Sequence, residues 1–387
     1  MLFNSLSFMV FLVIVVAIYY SNLLNWSNRK RMLLFTSYVF YGLWNPPLII
    51  ILWLSTLVDW VAANKLYVEE NQRKRNGWLF LSMFVNLGFL GFFKYGNFLL
   101  ENFTLLMNSV GIEYQAQPMD IILPMGISFY TFQTLSYSID VYKKKLEPTK
   151  DFIVFSAFVS FFPQLVAGPI ERASHLLPQF YKKRYFDYTQ AVDGMRQILW
   201  GLFKKIVIAD NCATHANIIF NNSEDYSGST LVMGAIFFTF QIYGDFSGYS
   251  DIAIGTSRLF GFDLMRNFNF PYFSRDIAEF WRRWHISLST WFRDYLYVPL
   301  GGSRGSTWMK VRNTFIIFIV SGFWHGANWT FIVWGLLNAI YIMPSIIFST
   351  NRSYLDIVAQ GRYLPTVKEF FSILLTFLFL CLGCKRQ

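Results

Sequence analysis

Three cysteines in 387 residues leave no disulfide framework, and 24 glycines with 12 prolines exclude a collagen period or a low-complexity chain. Charge is also scarce. Asp, Glu, Lys and Arg make up 14%, against about 25% in a soluble globular domain. Their place is taken by 43 Phe, 22 Tyr and 13 Trp, and hydrophobic residues reach 54%. A soluble fold of this length would expose too much apolar surface, and a disordered chain would be far more polar. The composition therefore predicts an all-α, polytopic integral membrane protein. At about 20 residues per span plus loops, there is room for roughly eight to twelve segments. No fixed-period repeat and no separate soluble domain interrupts the pattern, so residues 1–387 read as a single transmembrane domain.

Chemical motifs are missing too. There is no glycine-rich phosphate loop, no HExxH, no cysteine–histidine set with zinc spacing and no GxSxG serine. No metal is expected, and a covalent acyl-serine is disfavoured. Cys381 and Cys384 form a terminal CLGC, which without further ligands is a weak metal or redox signal.

The charge that is present is patterned. Lys plus Arg minus Asp plus Glu is 33 − 23 = +10. A nucleic-acid partner would need an exposed basic face on a soluble domain, so none is expected. The positive residues sit in short clusters between apolar runs: Arg29–Arg31, Arg73–Arg75, Lys143–Lys145, Lys182–Arg184 and Lys204-Lys205. This is the positive-inside pattern of a protein embedded in a lipid bilayer. It places the N-terminus outside, with residues 6–24 crossing first; no small-residue cleavage site suggests removal of that segment. Residues 152–167 carry basic clusters on both sides and Pro163 inside. A re-entrant or interfacial segment keeps both clusters in the cytoplasm, and it implies protein or a cavity around irregular backbone. Further apolar runs lie near 190–209, 229–256, 313–324, 329–349 and 367–382, and residues 257–312 read as surface-lying helices and loops.

Ionisable residues inside membrane segments are functional candidates. Residues 241–255 (QIYGDFSGYSDIAIG) hold Asp245 and Asp251 in an apolar helix. Gly244 and Gly248 there form a GxxxG pair that lets a second helix approach. The pattern suits polar glue between helices or a direct role in binding. Residues 279–302 (EFWRRWHISLSTWFRDYLYVPLGG) place Trp281, Trp284, His285, Leu288, Trp291, Phe292 and Tyr295 on one helical face. This reads as an interfacial amphipathic helix with Glu279 in reach of Arg283. Arg282, Arg283 and Arg293 suit lipid headgroups or the phosphates of a large anionic donor. Residues 321–335 (SGFWHGANWTFIVWG) hold His325, 13 residues beyond Arg312 and so roughly 20 Å along a helix. Trp324 and Trp329 accompany it, and Gly322 and Gly326 leave room for a ligand or another helix. A desolvated imidazole stays neutral, the form a general base needs; a structural histidine bonded to a neighbouring helix fits equally. His175 and His215 read as interfacial or loop residues.

At WRRWHISLSTWFRDYLYVPLGGSRG and SGFWHGANWTFIVWG the chain resembles the membrane-bound O-acyltransferase (MBOAT) family. FFPQLVAGPIERA (161–173) and YGDFSGYSDIAIG (243–255) are similar to its bacterial members, above all to the alginate O-acetylation branch. The resemblance implies re-entrant and interfacial helices around a central tunnel, with His325 as the central histidine and His285 in the second motif. It implies an acyl group arriving on a cytoplasmic thioester, with acetyl-CoA as donor substrate and no tightly bound cofactor. The acceptor it implies is an extracytoplasmic polysaccharide, served by a periplasmic acetyltransferase partner at the bacterial inner membrane. Relatives usually continue with further helices where this chain ends at Gln387, so a shortened C-terminus is expected. D-alanyl transfer to teichoic acid and peptidoglycan O-acetylation are alternatives within the class. A glycan or lipid-linked-sugar transporter, with Asp245, Asp251 and the histidines along its path, is the alternative outside it, as is a non-catalytic scaffold.

Overall fold

The structure, a computed structural model, describes residues 3–166 and 168–383. Ala167 of the 161–173 motif lies outside the described residues, as do Cys384 and the rest of the terminal tail. Contacts divide the chain into two compact units, one of Met1–Ala191, Ser257–Asp263 and Gly326–Asn328, the other of Val192–Thr256, Leu264–His325 and Trp329–Gln387. Among the described residues there is helix and no strand.

In the first unit, α1 (Leu6–Tyr20) starts where the Ser5 hydroxyl accepts from the Phe8 N–H, and α2 (Trp26–Gly42) carries the first basic cluster behind its Asn25 cap. Pro46-Pro47 then turn the chain into α3 (Ile49–Val68). Asn71 caps α4 (Gln72–Ser109), whose 38 residues extend ~57 Å. Phe80, Phe84, Leu87, Phe92, Leu99 and Phe103 of α4 are exposed, as suits a helix bathed in lipid rather than water. Helices α3 and α4, and the later helix Trp329–Ile347, are long and apolar enough to cross a membrane; α1 is apolar but has 15 residues.

α5 (Ile127–Tyr142) opens at Gly126, φ 73°, where a Cβ would lie 2.3 Å from the Leu165 carbonyl oxygen, so only glycine fits. Between α3, α4 and α5 lies a buried carboxylate. Asp59 is fully buried and accepts from the Ser82 hydroxyl, from Asn86 Nδ2 at 2.8 Å and from Ser138 Oγ at 3.3 Å. Its signal was visible as an aspartate inside an apolar run, with serine and asparagine four apart in the next helix.

The segment flanked by basic clusters breaks as Pro163 suggested. α6 (Phe152–Ser160) is nine residues, ~14 Å, too short to span. α7 (Phe162–Leu165) follows after a break at Phe161. The carbonyl of Phe158 is taken up by Gln133 Nε2 at 2.7 Å and Gln164 Nε2 at 2.9 Å. Irregular backbone away from water is thus satisfied by protein. α8 (Ala173–Leu176) follows, and His175 Nδ1 there meets the buried Glu171 at 2.8 Å.

In the second unit, α9 (Tyr188–Leu202), a π-helical stretch Phe203–Ala209 and α10 (Asp210–Asn221) run on without a loop. This corrects one reading. Lys204 and Lys205 are not a cytoplasmic loop cluster: Lys204 pairs with Asp251, and Lys205 pairs with Asp245 at 2.6 Å and Asp210 at 2.7 Å. Both lysines lie inside a helical stretch that packs on α11 (Gly228–Leu259), where carboxylates neutralise them. The approach is close because glycines face each other: a Cβ on Gly248 would stand 2.8 Å from the Gly201 carbonyl oxygen, and one on Gly255 2.5 Å from that of Gly194. The 241–255 motif is therefore the glue between helices that its GxxxG pair allowed.

The unit is completed by α12 (Ile277–Arg283), α13 (Ile286–Phe292), α14 (Thr307–His325), α15 (Trp329–Ile347) and α16 (Val367–Gly383). Helices α14 and α15 form a tight antiparallel pair. A Cβ on Gly322 would sit 2.3 Å from the Phe331 carbonyl oxygen, and one on Gly335 2.3 Å from that of Phe318.

Candidate functional site

The amphipathic segment predicted as one helix over 279–302 is interrupted at the histidine. α12 stops at Arg283, His285 adopts φ 43° and α13 restarts at Ile286, with a π-helical stretch Arg293–Tyr297 beyond. The break persists because a neighbouring segment takes up the freed backbone groups. The Asn269 N–H donates to the Arg283 carbonyl at 3.0 Å, and the Ile286 N–H donates to that of Asn267 at 2.9 Å. Ser287 Oγ donates to Asn267 Oδ1 at 2.6 Å. Helical periodicity cannot register such a break, since it depends on a partner segment distant in sequence.

The left-handed turn drives the His285 side chain inward, where it is 2% exposed. Neither ring nitrogen has a hydrogen-bond partner among the described residues. The ring meets Phe246 edge-on at 4.7 Å and Trp324 at 6.0 Å between centroids. Burial, with the neighbouring His325 second, holds its pKa well below the ordinary imidazole value, so the ring is neutral.

His325 is the last residue of α14, not a residue within a continuing helix. Its ring packs on Trp324 at 4.9 Å and Trp334 at 5.1 Å. Trp334, in the second turn of α15, rather than the expected Trp329, packs on this ring, and Trp329 is 60% exposed. Both histidines line one cavity of about 280 Å³, together with Trp281, Trp284, Ser289, Tyr297, Ser321 and Arg352 among others. This is close to the lower bound for small-molecule pockets, ~300 Å³.

The three arginines expected near an anionic donor are otherwise engaged. Arg282 donates to the carbonyls of Asn351 at 2.6 Å and Tyr354 at 2.7 Å. Arg283 pairs with Glu279 at 2.6 Å, as its spacing predicted. Arg293 is exposed and pairs with Asp294 at 2.7 Å. Behind them lies an ion cluster that sequence spacing did not disclose. Arg275, 5% exposed, reaches Glu279 at 3.1 Å, Asp356 at 3.0 Å and Glu369 at 3.2 Å, and its guanidinium carbon lies 4.5 Å from the Tyr354 ring centroid. His175 and His215 are not among the residues that line the cavity: the first pairs with Glu171, the second stacks on Phe237 at 5.2 Å.

These features define a class: a helical membrane protein whose two histidines share an aromatic, hydroxyl-bearing cavity. Neutral imidazole in such a place can take the proton of an attacking hydroxyl. The chain belongs to the membrane-bound O-acyltransferase family, whose model matches residues 8–384. It is an integral membrane acyltransferase. It is 39% identical to "Probable alginate O-acetylase AlgI" of Pseudomonas aeruginosa, over 99% of this chain and 71% of that protein. It is 37% identical to the "Peptidoglycan O-acetyltransferase" of Helicobacter pylori, over 92% of this chain and 70% of the other. To the "Teichoic acid D-alanyltransferase" of Bacillus subtilis it is 28% identical, over 69% of each.

Proposed function

We propose that this protein moves an acetyl group from a cytoplasmic thioester, acetyl-CoA, to sugar hydroxyls of an extracytoplasmic polysaccharide such as alginate. In this reading it is a multi-pass protein of the bacterial inner membrane, works with a periplasmic acetyltransferase and needs no tightly bound cofactor. The observation that carries the reading is the meeting of His285 and His325 in one cavity. The relatives support it: identity is 39% with the alginate protein and 37% with the peptidoglycan protein, both named for O-acetyl transfer, and 28% with the D-alanyltransferase.

His325, half-buried at the helix end, is the general base. It takes the hydroxyl proton as the oxygen attacks the thioester carbonyl. The C–S bond then breaks, and the thiolate leaves with that proton. His285, buried and with no hydrogen-bond partner among the described residues, donates one N–H toward the carbonyl oxygen as negative charge develops there. The aromatic wall excludes the water that would hydrolyse the thioester.

The test is acetyl transfer from labelled acetyl-CoA in membranes carrying His325→Ala at equal expression. Loss of a general base costs about 10²–10⁴ in rate. Wild-type rates in the variant would remove the assigned role. Substrate movement without release of free CoA thiol would favour a transporter.

A further inference from the structure

Arg352 differs from Arg275, Arg282, Arg283 and Arg293. It lines the cavity that holds His285 and His325, yet it makes no hydrogen bond or ion pair among the described residues. It sits in a built turn beyond α15. The N–H groups of Thr350 and Asn351 both donate to the Ser345 carbonyl, at 2.9 and 3.1 Å, and the Ser353 N–H donates to Thr350 at 2.9 Å. Ser349 enters the turn at φ 56°. Arg282 then grips the carbonyls on either side of Arg352, those of Asn351 and Tyr354. Arg275 holds the next stretch through Asp356. Two guanidinium groups are thus spent on fixing the strap that presents a third.

The position of this strap along the cavity is set by the helical pair. α15 runs antiparallel to α14, so residues 345–354 lie at the end where α14 begins. That end carries Arg304, Lys310 and Arg312, the mark of the cytoplasmic side. The cavity follows α14 from Thr314 to His325, ~16 Å at 1.5 Å per residue. A coenzyme A thioester separates its reactive carbonyl from its phosphates by an extended arm of that order. A guanidinium with its donors uncommitted matches phosphate oxygens in bidentate fashion.

We infer that Arg352 is the specificity-determining residue for the phosphates of the thioester donor, and that Arg282 is a positioning residue acting through it. The inference deepens the proposed acyl transfer and rests on it for the identity of the donor. Arg352 recognises the phosphate end, whereas His285 and His325 meet the acyl end, so removing the guanidinium lowers donor affinity without touching the chemical step.

The test uses the full chain in detergent and two probes, coenzyme A and pantetheine, its phosphate-free arm. Isothermal titration should show Arg352→Ala weakening coenzyme A about tenfold or more while leaving pantetheine unchanged. Arg352→Lys should restore part of the loss. Arg282→Ala should weaken coenzyme A in the same direction and should add little to Arg352→Ala in the double variant. Arg362→Ala, in the same loop but outside the cavity lining, should change neither constant. Equal coenzyme A affinity in wild type and Arg352→Ala, equal losses for both probes, or no wild-type preference for coenzyme A over pantetheine would each overturn the inference. Displacement of coenzyme A by an oligouronate from wild type but not from Arg352→Ala would reassign the guanidinium to an acceptor carboxylate, and so overturn it too. A wild-type chain that binds coenzyme A through Arg352 yet transfers no acetyl would refute the proposed reaction and leave the phosphate contact standing.

Discussion

Replacing Arg275 by methionine should be among the most damaging single changes outside the cavity. Arg275 is 5% exposed and its most deeply buried carboxylate partner, Glu279, is 1% exposed. Glu279 oxygens accept from the Arg275 backbone N–H at 2.7 Å, from Nε at 3.1 Å and from Nη2 at 3.1 Å. Methionine fills part of the volume but strands a buried carboxylate. Removing one partner of a buried ion pair costs about 3–5 kcal/mol. Arg283 still reaches Glu279 at 2.6 Å, so the lower end, ~3 kcal/mol, is expected. In a unit of 150–250 residues each kcal/mol moves Tm by about 2–4 °C, which gives a fall of roughly 6–12 °C. Thermal unfolding in detergent measures it. Arg283→Met should cost less, because Arg275 keeps its hydrogen bonds to the carboxylate. The double variant Arg275→Met/Glu279→Met should recover much of the loss, since the fully buried carboxylate is removed with its partner. An Arg275→Met shift no larger than that of Arg283→Met would refute the claim that Glu279 depends on Arg275.

Two further outcomes follow from the geometry. Gly322→Ala would place a methyl 2.3 Å from the Phe331 carbonyl oxygen; overpacking of this kind costs about 1–3 kcal/mol. Both Tm and transfer should drop, whereas Gly88→Ala, with open space at its Cβ, should alter neither. His285 is held neutral by burial and by His325. As pH falls through the ordinary imidazole value near ~6.5, the unfolded chain takes a proton that the folded chain refuses. Stability from this group is therefore present above about pH 6.5 and declines below it, by up to ~1.4 kcal/mol per pH unit. Unfolding from pH 7.5 to 5.5 should show a shallower decline in His285→Gln; an unchanged slope would sink the assignment.

Composition and local spacing were enough for the membrane class, the main apolar helices and the two histidine motifs. Each of these rests on composition and on local spacing: apolar runs long enough to bury themselves, a proline that breaks α6, a glycine pair that admits a partner helix. Tertiary structure decided the rest. That Lys204 and Lys205 are internal partners of Asp251 and Asp245, that His285 interrupts its helix, and that Trp334 rather than Trp329 faces His325 are facts about which segments meet. Periodicity describes one helix at a time and carries no information on its neighbour. Arg352 makes the same point. In sequence it is an arginine in a polar loop, and it joins the cavity where the end of α15 and Arg282, 70 residues earlier, hold the turn that carries it.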